Sequence, residues 1–147
     1  MPARRCCFAF VVACASLALI APGCHKGGGS AALTGPSAVA AAFDKAMHSG
    51  DLTAGAELFA YSTIARGQNE DWDSFGEAQR KLIIDKVKED KVQELGRLRQ
   101  AYVNGGYNPG AASTSGAQAS VPFQGLSGTL TMTLVQEGGG WKILQIQ

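Results

Sequence analysis

The side chains that could perform acid–base chemistry are few, and several of them fall in one stretch of the chain. Tyr61 precedes Asp71, Trp72 and Asp73. Two nearby carboxylates could supply a general base, with the tyrosine hydroxyl as their partner. The alternative is structural, because an aspartate beside a serine is ordinary chemistry at a helix start and the tryptophan could pack that helix onto a core. Tyr102 could line a pocket with this group.

The sequence contains little that suits metal or phosphate chemistry. Its two histidines, His25 and His48, are far apart, so no metal site and no cofactor is predicted. His48 is expected in the last turn of a helix, where positive charge complements the helix dipole. The glycines at 27–29 and 138–140 do not have the spacing of a phosphate-binding loop, so they indicate a linker and a turn.

Cys24 is the residue whose surroundings predict a definite chemical role. It follows Arg4 and Arg5, a 13-residue apolar stretch from Phe8 to Ile20, and then Ala21-Pro22-Gly23. The stretch is shorter than the roughly 20 residues needed to span a bilayer, and it has the length of a signal-peptide core. Residues 21–24 resemble a lipobox, whose cysteine is alkylated with diacylglycerol and becomes the new N-terminus. An ordinary secretory signal or an uncleaved anchor is the alternative.

These features divide the chain into a signal peptide at 1–23, a flexible Gly-rich tether at 24–35 and one domain at 36–147. Cleavage would leave Cys24 as the sole cysteine, so neither an internal disulfide nor a thiolate metal cluster is expected. It would also leave 11 basic residues against 12 acidic ones. No basic excess suggests nucleic acid as a partner.

The first half of the domain carries helical patterns. A helix is predicted from Pro36 to Ser49, with Gly50 ending it and Asp51 capping a second. Residues 61–73 suggest irregular structure. Ser74 and Glu77 form a capping-box pattern before a long helix that ends at 104–106. A kink or break is expected at 88–91, where the apolar phase slips.

The second half changes to strand patterns. Residues 107–120 predict a loop or a poorly ordered edge strand. Strands are expected over 119–124, 129–135 and 141–146, with Leu130, Met132 and Leu134 on one covered face and Trp141 in the core. The predicted fold class is therefore α+β, with N-terminal helices packed on a curved antiparallel sheet.

Two segments carry a resemblance to a known family. Residues 43–52 (FDKAMHSGDL), followed by Ala56-Glu57-Leu58-Phe59, resemble the opening of the nuclear-transport-factor-2-like superfamily, and Gly140-Trp141-Lys142-Ile143 is similar to its last strand. The chain most resembles bacterial lipoproteins that carry a lumazine-binding-like domain of unknown function. The resemblance implies a cone, in which a curved sheet wraps a long helix and often leaves a pocket at its mouth. Residues 107–120 depart from the family pattern, being poor in apolar side chains.

The sequence favours a membrane-anchored envelope lipoprotein whose cone domain binds a small molecule or an envelope protein without catalysis. One alternative is a small dehydratase or isomerase that uses Asp71 or Asp73 with Tyr61. Another is a structural homodimer that pairs through the outer face of the sheet, where Thr129, Thr131 and Thr133 alternate. The membrane is the expected partner through lipid on Cys24. Since His25 and not aspartate follows that cysteine, the periplasmic face of the outer membrane is favoured.

Overall fold

Helices occupy the first half of the domain and an antiparallel sheet the second, as the α+β prediction requires. The computed structural model describes residues 33–147, so the predicted signal peptide, Cys24 and the predicted tether up to residue 32 lie outside the described residues. The helices are α1 (Pro36–Ser49), α2 (Leu52–Ala56), α3 (Tyr61–Gln68) and α4 (Glu77–Asn104), with a 3₁₀ turn at Trp72–Ser74. The strands are β1 (Asn108–Pro109), β2 (Ser113–Ser115), β3 (Gln118–Gly125), β4 (Gly128–Glu137) and β5 (Gly140–Ile146).

The turn between α1 and α2 forms as its residues predict. Gly50 adopts a left-handed conformation with φ of 80°, and its N–H donates to the carbonyl of Ala46. Asp51 accepts a 3.0 Å hydrogen bond from the N–H of Ala54, which caps α2. Arg99 of α4 donates to the carbonyls of Met47 and His48, and it thereby satisfies the last acceptors of α1 from another element.

The prediction of irregular structure over 61–73 is wrong for its first half, because residues Tyr61–Gln68 form α3. Its N-terminus has no local side-chain cap. Glu137, at the end of β4, instead accepts hydrogen bonds from the backbone N–H and the hydroxyl of Thr63, at 2.9 and 2.7 Å. The helix therefore depends on a carboxylate 74 positions away in sequence, which no local pattern can reveal.

The long helix α4 also differs from expectation at two points. The Ser74–Glu77 capping box does not form, since Gly76 is the N-cap and the hydroxyl of Ser74 donates to the carbonyl of Asp71. The expected break at 88–91 is absent, and the helix runs unbroken for 28 residues. Lys88 forms an ion pair with Glu57, while the amine of Lys91 lies 4.9 Å from the centre of the Phe59 ring. These contacts hold the helix where its apolar phase slips.

The sheet is antiparallel in the order β1-β3-β4-β5, with β2 beside β1 on the same edge of β3. Its covered face buries alternate residues of the three long strands, which are Ala119, Val121, Phe123, Met132, Leu134 and Ile143. A register shift between Thr133 and Leu134 interrupts the β4–β5 ladder. Trp141, which was predicted in the core, is half-buried and packs against the core cluster, and Ile143 provides the fully buried contact of β5.

The two edges of the sheet differ in the segments that cover them. Along β5 the backbone of Leu58 accepts from Ile143 and that of Ala60 donates to Ile143, both at 2.8 Å, so residues 58–60 cover this edge. The opposite edge is formed by β1 and β2, which settles the status of residues 107–120. Residues 108–115 include these two short strands, whose side chains are mostly exposed, and residues 118–120 begin β3, where Ala119 is buried. The small polar residues of β2 pair with β3 without adding to the core, whereas Tyr107 and Ala112 pack against it.

The space between sheet and helices is filled by aromatic rings around Phe43 of α1. Its ring packs edge-to-face against Phe59, Tyr102 and Phe123, with centroid distances of 6.5, 5.9 and 6.1 Å. Phe43 and Phe123 are each 1% exposed. The concave side of the sheet is therefore a packed core, since this Phe43 cluster occupies the space that a ligand would need. Over residues 33–147 no helix has both the length and the apolar character to cross a membrane.

Candidate functional site

Tyr102 belongs to the core and links α4 to α1. Its hydroxyl donates a 2.8 Å hydrogen bond to a carboxylate oxygen of Asp44, and Nδ1 of His48 lies 3.3 Å from that same oxygen. Burial raises the pKa of Tyr102 above its ordinary value, and the hydrogen bond and the charge of Asp44 raise it further. A tyrosine held protonated in this way serves as a hydrogen-bond donor and not as a base.

Tyr61 has a comparable structural contact at the other end of the helical layer. Its hydroxyl donates a 2.6 Å hydrogen bond to the carbonyl of Ala56, the last residue of α2. Burial, followed by the charge of Glu57, raises the pKa of Tyr61 above its ordinary value. The same carbonyl also accepts from the N–H of Phe59 at 3.2 Å, so the tyrosine hydroxyl provides a second donor to the end of α2.

Asp71 and Asp73 lie on the surface, on either side of the buried Trp72. The side chain of Asp73 is 84% exposed and forms a 3.1 Å ion pair with Arg66. Arg80 donates to the carbonyls of Trp72 and Asp73, and its guanidinium lies 5.7 Å from the indole ring. The segment is thus a helix-connecting turn held by two arginines.

The residues suggested by sequence as a pocket do not come together. Tyr61 starts α3, whereas Asp71 and Asp73 follow its end, and Asp73 pairs with Arg66 in the last turn of that helix. Tyr102 belongs to the Phe43 cluster. No general acid–base pair arises from this arrangement, because the carboxylates face solvent and the tyrosine hydroxyls are bound to other groups.

A different site is formed by a groove that sequence reasoning missed. It consists of two adjoining depressions of about 500 and 260 Å³ that share Leu33 and Leu58. The larger runs between α1 and α2 over the alanines Ala42, Ala46 and Ala54, and the smaller reaches Trp141 on the β4–β5 hairpin. We name this surface the Leu58 groove. The small residues on both predicted helices were the feature of the sequence from which this groove could have been predicted.

Charged groups border the Leu58 groove, and several of them are already engaged. Glu137 holds the start of α3, and Lys142 donates to the carbonyl of Glu57 at 3.0 Å. Lys45 and Asp51 stand on the α1–α2 side. Within residues 33–147, no three histidine, cysteine, aspartate or glutamate side chains are grouped so that they could hold a metal ion. The groove thus combines an alanine and leucine floor with a rim of mixed charge, which suits binding by shape and apolar contact.

Comparisons of the chain with protein-family models, with curated proteins and with solved structures found no match. The observed architecture is an α+β fold in which N-terminal helices pack on a curled antiparallel half-barrel.

The bond between Tyr102 and Asp44 gives a pH-dependent prediction. Since the folded state raises the tyrosine pKa, the unfolded chain releases that proton first, from about pH 10 upward. The free energy of unfolding should therefore fall as pH rises above about 10. Tyr102→Phe should lower stability by about 1.5 kcal/mol at neutral pH, through loss of the charged hydrogen bond.

Above pH 10 each such tyrosine should lower the free energy of unfolding of the wild type by about 1.4 kcal/mol per pH unit. Tyr102→Phe should lack the contribution of Tyr102 to this slope. Urea unfolding at several pH values measures both effects. Tyr61→Phe is the matched variant, because it should reduce the alkaline slope in the same way while leaving the Asp44 contact intact. An alkaline slope in Tyr102→Phe equal to that of the wild type would contradict this account.

Proposed function

We propose that this chain is a lipoprotein of the bacterial envelope, anchored by lipid on Cys24, whose cone-like domain is a non-catalytic binding module. The signal-like segment and the small residues before Cys24 support the anchor. The order of elements supports a nuclear-transport-factor-2-like relationship. In keeping with that resemblance, Gly50 and Asp51 join the first two helices and residues 140–143 begin the last strand.

The observation that carries the binding proposal is the filled interior of the sheet. Phe43 and its three aromatic neighbours leave the concave side without an enclosed cavity for a substrate. A partner would then bind on the surface of the domain. The Leu58 groove is a depression in that surface with an apolar floor and a charged rim. Three alanines allow another backbone to approach closely, so the proposed partner is a segment of an envelope protein that presents apolar side chains.

The outer face of the sheet supports a second candidate, a homodimer. Ser113, Ser120, Thr133 and Gln145 are aligned by strand register across four strands, and this row is uncharged. A second copy of the chain could pack on this row without placing like charges opposite each other. The dehydratase-like alternative receives no comparable support, because Asp71 and Asp73 face solvent on the far side of α3.

The anchor is tested by replacing Cys24. In Cys24→Ala, loss of the only proposed acylation site should release the protein from the membrane fraction or leave the precursor uncleaved. Cell fractionation and intact-mass spectrometry measure these outcomes. Cys14→Ala is the matched control, since it removes a cysteine from the segment predicted to be cleaved. A Cys24→Ala protein that is cut at the same position and still sediments with membranes would overturn the proposed anchor.

The binding surface is tested by photo-crosslinking in cells that produce the full chain. A photoreactive residue replaces Lys45, which is exposed beside the Leu58 groove, and in a second variant replaces Thr129, which is exposed on the outer sheet face. The groove proposal predicts a discrete crosslinked envelope protein from position 45 and none from 129. Crosslinks between two copies from position 129, with none from position 45, would instead favour the homodimer.

A further inference from the structure

The Leu58 groove lies where the described part of the chain begins. Leu33 borders both of its depressions, and its side chain packs against the buried core. Consecutive Cα atoms are about 3.8 Å apart, so the Cα atoms of residues 30–32 all lie within about 11 Å of the Cα atom of Leu33. The residues that precede Leu33 are therefore covalently held beside this groove.

The backbone before α1 turns so that Leu33 lies beside the helix and not ahead of it. A chain that ran straight on from the helix would place Leu33 about 10 Å before Pro36. Instead, Leu33 lines the same depression as Ala42 and Ala46, and the backbone bends at Gly35. Ala42 is six residues into α1, or about 9 Å along its axis. A segment that continues in this direction runs antiparallel to α1 over the alanine floor of the groove.

Residues 30–32 match this floor in length and in chemistry. Ala42 and Ser49 both line the larger depression and are about 10 Å apart along α1, which is the distance that three residues of extended chain cover. The sequence of residues 30–32 is Ser-Ala-Ala, whose small uncharged side chains allow the backbone to approach the floor closely and exclude water from it. The smaller depression suits this segment less, because Glu137 and Lys142 line it.

The covalent connection makes even a weak contact effective. A segment joined directly to Leu33 is held beside the groove at an effective concentration on the order of millimolar. Gly27, Gly28 and Gly29 precede the segment and have no side chains that would need a place in the groove. These glycines would join the segment to the proposed anchor without constraining where it lies.

We propose that residues 30–32 lie in the larger depression of the Leu58 groove and cover its alanine floor until a partner displaces them. The inference rests on the proposed function, since this partner is the envelope-protein segment that the groove is proposed to bind. A groove that is covered for nine-tenths of the time would weaken the apparent affinity for that partner about tenfold. The N-terminal segment would thus regulate access to the binding surface as well as connect the domain to its anchor.

Photo-crosslinking of the purified full chain tests this contact. A photoreactive residue replaces Lys45 at the rim of the groove, and in a second variant it replaces Ala38, which is exposed on α1 but does not line the groove. These positions lie three and four residues to either side of Ala42, so a segment that moves freely around Leu33 should reach both. The proposal predicts crosslinks to residues 30–32 that are several-fold more frequent from position 45.

Two outcomes of this experiment would overturn the proposal. Equal yields from positions 38 and 45 would mean that the segment is merely tethered nearby. In a mixture of isotopically light and heavy protein, crosslinks that join a light chain to a heavy one would mean that the segment of a second copy covers the groove.

Substitutions in the segment provide a second test. Ala31→Asp combined with Ala32→Asp places unpaired charge against the alanine floor and should lower the internal crosslink from position 45 about tenfold. Gly28→Asp is the matched control and should leave this yield unchanged, because position 28 lies outside the segment proposed to enter the groove. A yield that the double substitution does not lower would overturn the proposal. Far-UV circular dichroism checks that each variant is folded.

The same variants in cells separate this inference from the proposed function. The double substitution should increase crosslinking from position 45 to the envelope protein, because it uncovers the groove. An internal crosslink in the purified chain, with no envelope protein captured in cells by any variant, overturns the proposed binding function and leaves the covered groove standing. An envelope protein captured equally with and without the double substitution, together with no internal crosslink, overturns the covered groove and leaves the binding function standing.

Discussion

The packing of Phe43 against Phe59, Tyr102 and Phe123 is the interaction on which the rest of this structure depends. These rings come from α1, from the segment covering β5, from α4 and from β3, so one cluster fixes the helical layer to the sheet. Removing such a ring from a closed core typically costs about 3–5 kcal/mol, which is a large part of the stability of a small domain. Residues 33–147 contain no cysteine, so no disulfide within them compensates for such a loss.

The same packing determines where the molecule can bind. A cone-like sheet with an empty concave side would offer an enclosed site, but here that volume is used for stability. The polar atoms around the cluster are likewise engaged, as the bonds of Tyr102 to Asp44 and Tyr61 to Ala56 show. What remains for recognition is the exterior, where the Leu58 groove and the uncharged row of Ser113, Ser120, Thr133 and Gln145 on the outer sheet face differ in shape and chemistry.

Local sequence patterns predicted the elements that local interactions stabilise. The Gly50–Asp51 turn, the alternation of β4 and the Gly138–Gly139 turn, both of whose residues have positive φ, could be read directly from sequence. The existence of α3 and the continuity of α4 could not, because Glu137 and Glu57 stabilise them from distant positions. The residues of the predicted pocket do not come together for the same reason, because a helix that depends on a tertiary contact separates residues that are close in sequence.

Xenon binding to the wild-type protein tests whether side chains fill the concave side of the sheet. Met47 and Met132 are both fully buried in the core and would be the only methionines after signal cleavage, so their methyl resonances report on this volume. A filled interior predicts no saturable xenon shift in the wild type, and a saturable shift in Phe43→Ala, where an apolar void is created. Saturable binding near these methyl groups in the wild type would show that the interior is open and that the aromatic cluster does not fill it.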